Sequence, residues 1–173
     1  MSAKIETRDV PPETFQCVHM DHVKIPKNAS HWYTHALVLI DAKSLYCELI
    51  PVKSTSATKT CRAILREWIS HYFVFSKLVT NRHTSFTGKL TKMLTKPCGI
   101  HHTLISAYHS RSNGHMECMN ELLLQGIRMH CHNKNEWLQL LPTHRTELQG
   151  RGCTWQGGVS PFQILYGENM RLP

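Results

Sequence analysis

Ala36-Leu37-Val38-Leu39-Ile40 is an unbroken apolar run of strand length. A strand written this way has no polar residue to turn toward water, so it belongs inside a sheet covered by helices on both faces. On its N-terminal side, beyond a loop from Pro26 to His35, the segment Phe15 to Val23 alternates apolar and polar residues. Phe15, Cys17, Met20 and Val23, with Val18 as a further apolar position, make it a strand that carries Asp21 near its end. On its C-terminal side Asp41-Ala42-Lys43 reads as a tight turn into another strand, Leu45 to Ile50.

Farther out the period changes. Apolar residues at Cys61, Ile64, Leu65, Trp68, Ile69 and Tyr72 predict an amphipathic helix from Ala57, with Ser54 or Ser56 as N-cap. Lys77 to Thr80 is a short strand. Phe86, Leu90 and Leu94 predict a helix from Ser85 to Thr95, ended by Pro97 and Gly99, and Ile100 to Ile105 a further strand. Ser110-Arg111-Ser112-Asn113-Gly114 reads as a loop. Met116, Met119, Leu123 and Ile127 then mark the core stripe of a long helix, and Trp137 to Leu148 is helical. Three strands followed by strand and helix crossovers give a mixed sheet with helices on its faces. The chain divides into a polar lead-in (1–14), a core (15–148) and a C-terminal extension (149–173).

The 173 residues fit one domain, and a 41% hydrophobic, 18% charged composition builds a core rather than a disordered chain. A net charge of +8 and 13 His suit a polyanionic partner, with the charge read as dispersed along the chain and forming no membrane anchor. Seven scattered Cys without a C-x-x-C argue for reduced thiols in an intracellular compartment rather than a disulfide framework, and a nuclear location is expected. No segment reads as a signal peptide or membrane span.

Three side chains draw the chemistry together. Asp21 lies near the end of the first strand, Asn81 ends the fourth, and Glu117 sits one turn into the long helix, with 35 residues between Asn81 and Glu117. On adjacent strands flanked by that helix the three converge at one sheet edge. An all-carboxylate cluster there would hold two divalent cations through oxygen ligands, about 3.5–4 Å apart, as in phosphodiester displacement.

The ordered motifs Val18-His19-Met20-Asp21, Trp68-Ile69, Leu78-Val79-Thr80-Asn81-Arg82 with Phe86, and Gly99-Ile100 resemble the integrase catalytic core of retroviruses and, more closely, of gypsy-type LTR retrotransposons. Ser106-Ala107-Tyr108-His109, Ser112-Asn113-Gly114-His115-Met116-Glu117 with Asn120, Trp137, Leu141-Pro142, Ser160-Pro161-Phe162, Tyr166-Gly167-Glu168 and Arg171-Leu172-Pro173 extend the likeness to the last residue. The resemblance implies an α/β, ribonuclease H-like fold, a five-stranded mixed sheet of order 3-2-1-4-5 flanked by helices. It further implies a polynucleotidyl transferase that trims and joins DNA ends with Mg²⁺ or Mn²⁺ held by Asp21, position 81 and Glu117. His109, Arg111 and Asn113 would position phosphates, with His109, Asn113 and Gly114 on a mobile loop beside the metals. DNA is the implied partner, a homo-oligomer is left open, and no membrane is involved.

The chain also departs from that pattern. The family has aspartate where Asn81 stands, glycine at His83, a Gly-x-Pro turn at Phe73-Val74-Phe75, proline at Ser110 and arginine at Cys118. An amide offers a carbonyl oxygen but no charge, so metal binding is expected to be weakened or lost and catalysis impaired. The alternative expectation is a non-catalytic DNA-binding or assembly module. Cys98 with His101-His102, and His130-Cys131-His132, lack paired ligands at structural zinc spacing and read as solvent-facing. Trp68 and Trp137 read as packing residues.

Overall fold

The structure, a computed structural model, describes residues 11–25, 32–81, 87–105, 110–130, 136–153 and 156–171. Its five strands are β1 (Cys17–Lys24), β2 (His35–Asp41), β3 (Cys47–Val52), β4 (Lys77–Asn81) and β5 (His101–Ile105). They form one sheet in the order β3-β2-β1-β4-β5, as expected. β1 pairs antiparallel with β2 and β2 with β3, while β1 with β4 and β4 with β5 are parallel.

The apolar run in β2 is explained by what covers it. Leu37 and Leu39 join a core with Val18 and Met20 beneath α1 (Ala57–Ile64). Ala36, Val38 and Ile40 join a second core on the opposite face, with Met119 and Leu123 of α4 (Ser110–His130) and Trp137 and Leu141 of α5 (Trp137–Gly150). Trp68 and Trp137 are both buried packing residues.

α1 runs on through a wider π-helical stretch, π1 (Leu65–Ile69), into α2 (Ser70–Tyr72). Ser56 occupies the N-cap without a side-chain capping bond, and Leu65, expected in the apolar stripe, is turned toward solvent in the π turn. The helix after β4 likewise joins α3 (Thr87–Leu90) to π2 (Thr91–Thr95). α6 (Pro161–Tyr166) closes the described chain, capped by Ser160.

Two expected strand ends are turns instead. Phe15 and Leu45 both adopt left-handed φ values, 62° and 61°, because Asp41 organises the backbone around them. Its fully buried carboxylate accepts from Phe15 N at 2.8 Å and from Ser44 N and Oγ at 2.8 and 2.7 Å. These bonds tie the chain before β1 to the turn before β3 and place the Phe15 ring against Trp68 and Tyr72.

The expected loop Ser110–Gly114 is helical, since α4 begins at Ser110. Asn113 and Gly114 are weak helix formers, but a loss of roughly 1 kcal/mol is outweighed by the packing of a 21-residue helix. The expected boundary between residues 148 and 149 falls inside α5, where buried Gln149 donates to Cys47 O at 2.8 Å.

Candidate active site

The site grows from the pairing of the two central strands. Met20 of β1 is opposite Thr80 of β4 in parallel register, so Asp21 and Asn81 stand level on adjacent strands. Asn81 is the last residue of β4 and is also paired with Ile105 of β5. α4 crosses the same region. Its Asn120 donates from Nδ2 to Asp21 Oδ2 at 2.8 Å, while Asp21 Oδ1 accepts from His22 N at 2.8 Å. Both carboxylate oxygens are therefore oriented.

Glu117 is exposed and lies three residues before Asn120, on the same side of α4 by helical spacing. It sits two turns into the helix rather than one, because α4 begins at Ser110. The structure thus brings Asp21 and Asn81 together on neighbouring strands and sets the Glu117 face of α4 against Asp21. Arg111, Asn113 and Gly114 fall in the first turns of α4 rather than on a loop, and His109 lies outside the described residues.

The donor set is made of hard oxygens, two carboxylates and one amide carbonyl, which suits an oxygen-coordinated divalent cation. With the Asp21 carboxylate already aimed by Asn120 and His22 N, the residues fit a single such ion better than a pair bridged by anionic oxygen. Among the described residues no three His, Cys, Asp or Glu side chains are grouped to hold a metal. The six described cysteines are free. His101 is exposed, but His102, read as solvent-facing, is half-buried and shares a 2.9 Å hydrogen bond with Thr80 Oγ1.

The other face of β1 holds a different group. His22 and Thr60 Oγ1 of α1 share a hydrogen bond at 3.2 Å. Burial, and after it the nearby His35, pushes the His22 imidazole down to about 4, so it is neutral at pH 7.

At the far edge of the sheet Glu48, a buried carboxylate without a signal in the sequence motifs, accepts from Tyr72 OH at 2.7 Å and Arg145 Nη1 at 2.7 Å. Asn120 was visible in the sequence only as a motif residue. The signal for its role was its three-residue spacing from Glu117.

The strand before position 81 is launched from a strained turn. Phe73, standing where the integrase pattern has glycine, has φ 69° and ψ −179°, a conformation otherwise left almost wholly to glycine. Its side chain is 83% exposed.

No family model matches the chain. It is 28% identical over 136 residues to the Gag-Pol polyprotein of avian reticuloendotheliosis virus, covering 78% of this chain and 12% of that one. With the Gag-Pol polyprotein of walleye dermal sarcoma virus it shares 26% identity over 166 residues, covering 95% of this chain and 9% of that one. The chain therefore spans about a tenth of the length of these relatives.

Among solved structures it is similar to the catalytic core domain of BIV integrase, with a TM-score of 0.63, 21% identity and coverage of 87% of this chain and 93% of that one. The HTLV-2 integrase catalytic core domain in complex with magnesium, in a dimeric form, gives a TM-score of 0.68, 16% identity and coverage of 87% and 96%. A simian T-cell lymphotropic virus intasome in complex with PP2A regulatory subunit B56 gamma gives 0.71, 16% identity and coverage of 92% and 56%. The sheet order and the helices on both its faces give the chain the ribonuclease H-like fold of integrase catalytic cores, and its sequence is similar to retroviral Gag-Pol polyproteins.

Proposed function

We propose that this chain is an integrase-type DNA-joining core, of gypsy-type retrotransposon origin, whose chemistry is impaired by Asn81. The observation that carries the reading is the level placement of Asp21 and Asn81 on adjacent parallel strands, with α4 tied to Asp21 through Asn120. The magnesium-bound HTLV-2 integrase core supports Mg²⁺ as the cation. Asp21, the Asn81 carbonyl and Glu117 would hold it. When bound, divalent cations supply Lewis-acid activation of water or a DNA 3′-hydroxyl.

The chain's own residues define what remains. Asn120 fixes the rotamer of Asp21, and Glu117 supplies a solvent-facing carboxylate on the same helix. His109, Arg111 and Asn113, at the start of α4 and just before it, position phosphates of the DNA end. With Asp21 and Glu117 alone, a −2 cluster would balance one divalent cation but not the pair that two-metal joining chemistry uses. Changes to groups that merely support metal ligands commonly cost about 10–100-fold in affinity or activity, so loss of a ligand carboxylate costs more. A second reading, a DNA-binding or assembly module that has given up catalysis, is favoured by Asn81 and the strained Phe73 turn together. The dimeric and intasome-bound relatives support self-association and DNA as partners.

The test is joining of oligonucleotide ends with Mg²⁺ or Mn²⁺ by the natural chain and by Asn81→Asp, each with and without Glu117→Gln. The expected result is no joining by the natural chain, and joining that depends on Glu117 in Asn81→Asp if the remaining geometry is intact. Robust Glu117-dependent joining by the natural chain overturns the claim of impairment. Inactivity of Asn81→Asp that persists despite restored metal binding favours the module.

A further inference from the structure

The positive charge that reads as dispersed along the chain is concentrated. Residues 53–105 contain nine Lys and Arg and a single carboxylate, Glu67, a net of +8. The remaining residues contain 11 Lys and Arg against 11 Asp and Glu, so the net charge of the whole chain resides in this one segment.

The fold gathers six of the nine cations on one surface. Lys59 and Arg62 of α1 and Arg66 of π1 follow a three- and four-residue spacing, as do Lys89 of α3, Lys92 of π2 and Lys96 beyond it. All six are exposed. The opposite sides of the two helices are buried, Cys61, Ile64 and Trp68 in one case and Leu90 and Leu94 in the other. Both rows therefore point away from the sheet, on the face opposite α4 and α5. Thr58 Oγ1 and Cys61 Sγ approach Met93 at 3.8 and 3.9 Å and hold the two helices side by side. Each row is about 10 Å long at 1.5 Å per residue.

We propose that this double row is a phosphate track for duplex DNA, separate from the acidic edge at Asp21. The partner follows from charge density. About 10 Å of duplex carries roughly six phosphate charges, one per ~1.7 Å of axis. The track offers six cations and one carboxylate, Glu67, which pairs with Arg66, leaving a net of +5. Two rows of exposed cations side by side match the two-stranded backbone better than the single line of an extended acidic peptide.

The proposal rests on DNA as the partner but not on metal or on joining chemistry. Its test is fluorescence anisotropy of a labelled duplex in EDTA over a series of KCl concentrations. The intact chain is compared with Lys59→Gln/Arg62→Gln/Lys89→Gln/Lys92→Gln and with an equal-charge control, Lys24→Gln/Lys43→Gln/Arg128→Gln/Arg171→Gln. The track variant should flatten the slope of log K against log salt by about 3–4, at ~0.9 for each phosphate left without its cation, and bind more than tenfold more weakly at low salt. The control should change both far less. Equal losses in the two variants, or none in the track variant, overturn the proposal, as does tighter binding of duplex RNA than of DNA through the same residues.

Should the track variant not fold, lysine acetylation of the intact chain with and without duplex decides. Protection of Lys59, Lys89, Lys92 and Lys96 but not Lys24 or Lys43 supports the track, and uniform protection or none overturns it. Because binding is read without metal, failure of Asn81→Asp to join DNA leaves this proposal standing, and failure of duplex binding leaves cation binding at the acidic edge untouched.

Discussion

Asn120 Nδ2 donates to Asp21 Oδ2 at 2.8 Å, joining residues 99 positions apart and fixing α4 against the central strand. A hydrogen bond to a charged acceptor contributes about 1.5–3 kcal/mol, less when partly exposed. Asn120→Ala should therefore lower unfolding stability by about 1–2 kcal/mol in urea denaturation. Asn120→Asp should lower it further at neutral pH, because it sets two carboxylates against each other. That extra loss should shrink when millimolar Mg²⁺ is added, and an Asn120→Asp chain as stable as Asn120→Ala in metal-free buffer would contradict the pairing.

Asn81→Asp sharpens the same electrostatics. In EDTA the added carboxylate, level with Asp21, should destabilise the chain, since like charges at close range disfavour ionisation of both. With Mg²⁺ or Mn²⁺ the order should reverse. A ligand at 100 times its Kd adds about 2.7 kcal/mol, so Asn81→Asp should show a larger rise in Tm with metal than the natural chain. Equal metal-induced shifts in the two chains would show that the amide suffices.

Phe73→Gly should stabilise the chain, an unusual direction for a substitution. Relief of a non-glycine residue at φ 69° and ψ −179° is worth about 1–3 kcal/mol. The added freedom of glycine in the unfolded chain offsets about 0.5–1 kcal/mol. Little packing is lost from so exposed a ring. The expected gain is about 1 kcal/mol, read as a higher urea midpoint with unchanged slope, and a loss of stability would mean that the Phe73 ring packs on something.

How far the sequence carried the reading depends on the kind of information each residue holds. The run Ala36 to Ile40 was legible because burial on both faces is written in its composition, and the sheet order followed from the motif resemblance. Phe15 and Leu45 were misread as strand residues because Asp41 sets their left-handed backbone, reaching Phe15 from 26 residues away and Leu45 through the turn that follows it, which hydrophobic alternation does not record. The basic track was missed because its residues are spaced by helical turns in segments separated by β4, so a linear scan sees scattered charges. Ser110 to Gly114 was read as a loop from its composition, and tertiary packing of α4 overrode those local preferences.

His22 gives a pH dependence whose sign is fixed. Its folded-state pKa, about 4, lies below the unfolded value of about 6.5, so the unfolded chain binds the extra proton first. Stability should be undiminished above pH 6.5, fall as the pH drops from about 6.5 toward 4, and lose about 3 kcal/mol over that window at ~1.36 kcal/mol per unit. In metal-free buffer His22→Gln should abolish that component of acid destabilisation while keeping a polar group for Thr60. A profile unchanged by His22→Gln would assign the acid sensitivity to other groups.

The last prediction concerns Glu48, which sits on β3 with a side chain only 6% exposed and is held by Arg145 of α5 and Tyr72 of α2. Removing one partner of a buried ion pair leaves an uncompensated charge and commonly costs about 3–5 kcal/mol, whereas replacing both partners with groups of similar shape is often close to neutral. Arg145 is partly exposed, so water recovers some of the loss when it is truncated. Arg145→Ala should therefore cost about 3 kcal/mol, while Arg145→Met with Glu48→Gln, which keeps an acceptor for Tyr72 OH, should cost about 1 kcal/mol or less. The pair also bridges β3 to α5, so hydrogen exchange should rise in both elements for Arg145→Ala and in neither for the double variant. A double variant as unstable as Arg145→Ala would show that the attraction itself, rather than the stranded carboxylate, holds α5 to the sheet.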